Sequence, residues 1–384
     1  MSFTLSLPPE GTFLGRVWLP DVAGPAVVLV RDGEVYDITS STAPTMADLL
    51  ELEDCAGFLR AVDKRHIGSL AAIAASSQAA DPSQIHLLAP CDLQSVKASG
   101  VTFAQSILER VIEEKVAGDP SLALMFRQKI EASIGGNLKN LVPGSPEADA
   151  LKRTLIEEGL WSQYLEVGIG PDAEIFTKAQ PMSCVGWGAA VGVHAMSHWN
   201  NPEPEIVLFV NSRGEIKGVS LGNDVNLRDV EGRSALLLGK AKDNNASCAV
   251  GPFVRLLDEG YGLDQVRRSE VKLRVEGEDG FVLEDGSSMS EISRDPVDLV
   301  AQAIGPNHQY PDGFVLFLGT LFTPVQDRGE AGQGFTHHWG DVVVISDPLL
   351  GELRNTVRPS DACPPWNFGT RQLMRNLSAR HLLP

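Results

Sequence analysis

Two glutamates (Glu203 and Glu205), an apolar run from Ile206 to Val210, the turn-forming Asn211-Ser212-Arg213-Gly214 and a returning run from Glu215 to Gly222 that leads into Asp224 constrain this chain most. Short apolar runs on either side of a glycine-containing turn specify a β-hairpin. Side chains alternate faces along a strand, so Glu203 and Glu205 share one face. With a two-residue turn at Ser212-Arg213, Glu203 lies opposite Gly222 and Asp224 falls on that same face; a three-residue turn would send it to the other. Three converging carboxylates repel unless one is protonated or a cation sits among them. An all-oxygen donor set without Cys or His favours Mg²⁺, Mn²⁺ or Ca²⁺ over Zn²⁺. The same spacing also describes a solvated acidic hairpin face.

The bulk of the sequence narrows the partners. A formal net charge of -18 argues against sequence-independent binding to nucleic acid or to anionic lipid, both of which need a basic surface. A small or neutral ligand fits better. Five cysteines without a CxxC pair indicate neither a disulfide framework nor a zinc knuckle, which suits a reducing cytoplasm. Met1 to Gly15 lacks a basic stretch followed by an apolar one, and no run of about 18 apolar residues follows anywhere. The expectation is a cytoplasmic protein with no membrane partner.

With 384 residues the chain has room for two domains. Residues 1–95 read as a small N-terminal domain: strands over 12–40 broken by turn signals at Pro20 to Pro25 and Asp32-Gly33, a helix capped by Thr45 and running to about Arg60, and a linker from about Ala80 to Cys91. Residues 96–384 read as a second, larger domain. Within it, residues 104–164 form a helical lid with segments Gln105 to Val116, Pro120 to Ile134 and Glu147 to Leu160, punctuated by Gly135-Gly136 and Pro143-Gly144; a plain packing insertion would give the same pattern. Strands follow at Glu205 to Val210, Ile216 to Leu221, Val271 to Val275, Val315 to Leu318 and Asp341 to Ile345, with an apolar turn at Ala249-Val250-Gly251-Pro252. The fold class is mixed α+β, mainly β, built on a rolled or closed mixed sheet.

Several motifs carry less than they promise. Gly218-Val219-Ser220-Leu221-Gly222 matches GxSxG, but no helix follows, so Ser220 is a wall hydroxyl and not a nucleophile. The glycines from Gly186 to Gly192 lack GxGxxG spacing and a βαβ context, which removes a dinucleotide site. His337 and His338 face opposite sides of a strand, and His194 and His198 have no third ligand nearby. Lys242 follows the hairpin closely; beside a divalent cation its ammonium form is disfavoured, which suits a general base, although an ordinary surface lysine has the same surroundings in sequence. A strand through Glu174-Ile175-Phe176-Thr177-Lys178 places Glu174, Phe176 and Lys178 on one face, as an ion-paired strand also would.

Taken in order, Glu174-Ile175-Phe176-Thr177-Lys178, Pro202-Glu203-Pro204-Glu205, Asn223-Asp224-Val225-Asn226-Leu227-Arg228-Asp229, Lys242 ahead of Gly251-Pro252, and Gly319-Thr320 resemble the motifs of the fumarylacetoacetate hydrolase superfamily. The resemblance covers roughly residues 165 to 358 and leans toward the family's 2-keto-3-deoxy-pentonate dehydratase branch. It implies a rolled β-sheet catalytic domain, a metal held by Glu203, Glu205 and Asp224, and a homo-oligomer, dimeric or tetrameric. It further implies that Glu174 and Lys242 are acid and base and that no organic cofactor is needed. The implied reaction is metal-dependent dehydration of a 2-keto-3-deoxy-pentonate to 2,5-dioxopentanoate in pentose catabolism.

The hydrolases of this family resemble one another in a histidine and a glutamate three residues apart that activate water. Here Ser106 stands at the histidine's place and Glu109 at the glutamate's, so a water-activating pair is incomplete. Ser106, Glu109 and Arg110, with Lys178, Ser220 and Thr320, become candidate contacts for a short polyol acid. Cleavage of acylpyruvates, decarboxylation of oxaloacetate and a non-catalytic sugar-acid-binding protein remain the alternatives.

Overall fold

The computed structural model describes residues 5–117, 141–157, 159, 161–324, 326–328 and 332–383. The chain opens with an antiparallel unit, β1 (Phe13–Leu19), β2 (Gly24–Arg31) and β3 (Glu34–Asp37). Asp32 and Gly33 are both left-handed (φ 53° and 74°), the geometry that closes a two-residue hairpin with the right twist. The helix expected from Thr45 to about Arg60 is two helices. In α1 (Met46–Glu51) the Thr45 hydroxyl caps the Asp48 amide, and Asp54 then caps a fresh start for α2 (Cys55–Ala61). A second cap within one periodic stretch ends the first helix. After these come β4 (Arg65–Ser69), α3 (Leu70–Gln78), β5 (His86–Leu88) and β6 (Ser95–Gly100).

Helices α4 (Ala104–Lys115) and α5 (Pro146–Glu157) fall in the expected lid region, and α6 (Gln163–Ile169) extends the helical stretch past its expected end at residue 164; together they surround a core that includes Ile107, Val111, Leu155, Leu165 and Trp199. The segment Pro120 to Ile134 lies outside the described residues. The chain continues with β7 (Glu174–Ala179), β8 (Ala190–Val193), β9 (Asn200–Asn201), β10 (Pro204–Val210), β11 (Ile216–Asp224) and β12 (Asn226–Leu227). Short helices α7 (Arg228–Glu231) and α8 (Leu238–Lys242) lead into β13 (Cys248–Leu256). Gly251-Pro252 is therefore inside a strand and not at a turn. The remaining strands are β14 (Glu270–Glu276), β15 (Val282–Ser288), β16 (Phe314–Phe317), β17 (Val342–Asp347) and β18 (Gly351–Pro359).

The main sheet runs β4-β3-β2-β1-β13-β11-β10-β16-β6-β7, and a second runs β15-β14-β17-β18-β8. Neither order closes on itself, so the mixed, mainly β architecture is made of open sheets and not a closed barrel. A boundary at residue 95 does not separate two sheets, because β1 pairs with β13 through Phe13↔Arg255 and Leu14↔Val254. Strand β10 is buried at all seven positions. Flanked by β11 and β16 and covered on both faces, it reads as a continuous apolar run instead of an alternating one.

The hairpin register carries the site. Glu205 pairs with Gly222 and Pro204 with Asn223, two residues away from the register a two-residue turn would impose. Near the turn Val210 pairs with Ile216, and Gly214 is left-handed (φ 80°), so Ser212, Arg213 and Gly214 form a three-residue loop. Alone, that loop would have turned Asp224 to the wrong face. A bulge at Lys217, between the pairs Phe209↔Gly218 and Val210↔Ile216, adds one residue and restores the parity.

Candidate active site

Glu203, Glu205 and Asp224 are each about 1 % exposed, and one carboxylate oxygen from each lies within 4.8 Å of the others. Among the described residues they are the one acidic group that could hold a metal. Two carboxylates at that distance repel by about 3.5 kcal/mol at an effective dielectric of about 20, so the cluster persists only because cations and donors surround it.

Each carboxylate has its own supports. Lys242 at the end of α8 donates to Glu203 Oε2 and, over 3.1 Å, to Asp224 Oδ2. Arg110 on α4 donates to Glu203 Oε1 and stands 2.8 Å from Glu231. Glu205 receives uncharged donors: the Gly319 amide at 2.7 Å and the Thr320 hydroxyl at 3.3 Å. Gly319 is needed there, since its φ is +101° and a Cβ would meet the Thr102 hydroxyl at 1.9 Å. Lys178, fully buried on β7, lies 3.1 Å from Asp224 Oδ1 and donates to the carbonyls of Lys242 and Val225. Its ammonium braces the α8 end and the Asp224 segment together.

The electrostatics follow from this uneven support. Burial pushes the Glu203 carboxyl up, but Lys242 and Arg110 push harder and hold it down at about 2. For Glu205 burial and the charges of Asp224 and Glu203 act together, so its carboxyl stays well above the usual range. Burial lowers the Lys242 ammonium, yet Asp224, Glu203 and Glu231 outweigh it and raise its pKa. A buried carboxyl whose pKa is raised by burial and by two neighbouring carboxylates marks a place where a divalent cation would fit. Asp224 Oδ1 agrees, because it accepts no aligned hydrogen bond despite the nearby lysine.

Glu174 opens β7 opposite Gly100 of β6. A Cβ on Gly100 would lie 2.0 Å from Glu174 Oε2, so this glycine supplies the space the carboxyl occupies. Burial raises the Glu174 pKa, against a smaller lowering by Arg110 and Lys242. Lys242 lies 5.8 Å from the centre of the Phe176 ring, two residues along the same strand. The site thus gathers a carboxyl inclined to hold its proton and a lysine touching two of the three metal candidates.

Of the six other candidate residues, Arg110 and Thr320 touch the triad directly and Lys178 braces it. Ser106 exchanges hydrogen bonds with the Phe103 backbone at the start of α4. Ser220 donates to the Gly251 carbonyl at the β11–β13 irregularity. Glu109 pairs with Arg228 at 3.0 Å, and the Arg228 guanidinium stacks 4.2 Å from the Trp199 ring centre. Gly100, Glu231, Arg228 and Trp199 escape a reading of the sequence because nonlocal pairing places them. His337 is buried against Asp341 at 3.3 Å, and His338 is turned away from it toward Asp279.

Residues 166–358 match the family described as fumarylacetoacetate (FAA) hydrolase C-terminal. A 2-dehydro-3-deoxy-D-arabinonate dehydratase of Saccharolobus solfataricus is 33% identical over 188 residues, 48% of this chain and 58% of that protein. The match therefore spans a little over half of that relative's length. A probable 2-keto-3-deoxyxylonate dehydratase of Haloferax volcanii is 27% identical over 330 residues, 85% of this chain and 93% of the relative. Among solved structures, 2-keto-3-deoxy-D-arabinonate dehydratase complexed with magnesium and 2,5-dioxopentanoate superposes with a TM-score of 0.63 at 21% identity, covering 90% of this chain and 99% of that one. A fumarylacetoacetate hydrolase from Exiguobacterium antarcticum gives 0.57 at 17% identity, covering 91% of this chain and 99% of that one.

Proposed function

The chain belongs to the fumarylacetoacetate hydrolase family, and from that membership we propose that it is a Mg²⁺-dependent hydro-lyase converting a 2-keto-3-deoxy-pentonate, the xylonate or arabinonate derivative, to 2,5-dioxopentanoate. The observation that carries the reading is the convergence of Glu203, Glu205 and Asp224 with Lys242 on two of them, in a site where Glu174 favours its protonated form. The names of the two relatives and of the superposed structure agree with it. A cytoplasmic homodimer or homotetramer serving pentose catabolism belongs to the same proposal.

A divalent cation held by Glu203, Glu205 and Asp224 would neutralise the carboxylates that keep Lys242 charged and would supply the Lewis acidity that makes C3 of a bound 2-oxo acid more acidic. Lys242 then removes a C3 proton. Glu174, carrying its proton, gives it to the departing C4 hydroxyl, and water leaves with a C3=C4 double bond in its place. Loss of a C5 proton and return of one to C3 shift the double bond to C4=C5, and that enol tautomerises to the aldehyde. The balance is one water lost. No step needs a nucleophilic water, which suits a site where Glu109 is ion-paired to Arg228 and Ser106 is occupied at a helix start.

The test is a substrate panel on metal-stripped protein resupplied with Mg²⁺: 2-keto-3-deoxy-D-xylonate, its arabinonate counterpart, an acylpyruvate and oxaloacetate. Dioxopentanoate from the sugar acids without pyruvate is expected. Pyruvate as the main product from any of the four would move the reading to carbon–carbon cleavage.

A further inference from the structure

We propose that Arg110 is a metal-responsive latch: in the metal-free protein its guanidinium holds the Glu203 oxygen that a divalent cation would claim, and metal binding transfers it from Glu203 to the substrate's carboxylate. The inference rests on the triad binding a divalent cation. Both oxygens of Glu203 are engaged by cations, Arg110 on Oε1 and Lys242 on Oε2. Lys242 sits at the end of α8, within the catalytic floor, and also grips Asp224. Arg110 comes from α4, above the site, and its second nitrogen lies 2.8 Å from Glu231 on α7. One guanidinium therefore bridges a triad carboxylate and a carboxylate outside the triad.

Those two anchors respond differently to a metal. A dication on Glu203 places two positive charges beside the guanidinium in a buried site where solvent screens little. Glu231 lies outside the triad and keeps its attraction. The guanidinium is thus driven off Glu203 while α7 retains it, and α4 stays tethered through Glu109–Arg228 at 3.0 Å. The edge released from Glu203 carries two N–H groups in a plane, which match a carboxylate bidentately. A 2-oxo acid bound at the triad would bring its carboxylate within the charge field of the released guanidinium, which remains held to Glu231. Metal first and acid second is the order this geometry imposes.

The test is calorimetric titration of Mg²⁺ alone into metal-stripped wild type, Arg110→Ala and Arg110→Lys. If the latch competes with the metal, Arg110→Ala binds Mg²⁺ about ten- to a hundredfold more tightly, the scale of one charge-assisted hydrogen bond. Arg110→Lys keeps the charge but cannot span Glu203 and Glu231, and it too binds more tightly than wild type. An arginine that merely positions Glu203 gives the opposite sign, and equal or weaker binding in both variants overturns the proposal while leaving the dehydratase reading in place. If wild type and both variants all fail to bind Mg²⁺, the triad reading fails and this inference with it. Arg110→Ala should also raise KM more than it lowers kcat.

Discussion

Gly100→Ala is a one-carbon change aimed at one atom of the site. The added Cβ would lie 2.0 Å from Glu174 Oε2 and 2.7 Å from its Cδ, whereas ordinary contact begins near 3.4 Å. The atoms in the way are the far end of a flexible side chain, so the carboxyl swings aside by roughly 1 Å while the β6–β7 ladder keeps its hydrogen bonds. A displacement of that size in an acid-base group costs about 10²-fold in rate. Glu205 and Asp224 lie on β10 and β11, with Glu203 immediately before β10, and the substituted position is on β6 beside β7 and β16. Stability should shift by less than about 1 kcal/mol, since alanine is better tolerated than glycine in a strand and no buried backbone group is lost. The expected outcome is a kcat for dioxopentanoate formation lowered about a hundredfold, an unchanged Mg²⁺ affinity by calorimetry and a Tm within about 2 °C of wild type. Full kcat in Gly100→Ala would refute the role given to Glu174, and a large loss of Mg²⁺ affinity would refute the separation of acid from metal site.

Three further outcomes follow from the same geometry. Lys242→Met should lower kcat by about 10² to 10⁴ with Mg²⁺ still bound, and should destabilise the metal-free protein by about 3 kcal/mol or more because Glu203 and Asp224 lose a shared cation; thermal melts with and without Mg²⁺ check this, and the metal should recover much of the loss. Lys178→Met strips the ammonium from Asp224 and from two buried carbonyls, so a Tm lowered by several degrees is expected, and a Tm equal to wild type would contradict its bracing role. A carboxyl with a raised folded pKa, as at Glu205, contributes stability below the ordinary glutamate range that is lost as pH rises through the raised value, whereas the Glu203 contribution is lost only as pH falls toward about 2. The metal-free Tm should therefore decline as pH rises above the ordinary glutamate pKa, and Mg²⁺ binding should expel about one proton, read by calorimetry in two buffers of different ionisation enthalpy.

The hairpin carboxylates were legible because strand alternation is local, and Glu203, Glu205 and Asp224 need only parity to meet. The reason for the parity was not legible: a three-residue loop and the bulge at Lys217 cancel, and each alone would have broken the site. Gly100 carries no sign of its role, since only the pairing of β6 with a strand more than seventy residues away sets it under Glu174. Gly251-Pro252 reads locally as a turn, yet β13 runs straight through it between β11 and β1. Arg110 was legible as a contact but not as a cation on Glu203, because the approach of α4 to α7 is decided by packing around Trp199.

The most direct test compares metal-stripped wild type with metal-stripped Glu203→Gln, each assayed with 2-keto-3-deoxy-D-xylonate before and after Mg²⁺ is added back. The account expects no dioxopentanoate from either sample without metal, turnover from wild type once Mg²⁺ is present, and loss of both Mg²⁺ binding and turnover in the variant. Turnover by the metal-stripped wild type, or by Glu203→Gln at the wild-type rate, would contradict a dehydratase built on these three carboxylates.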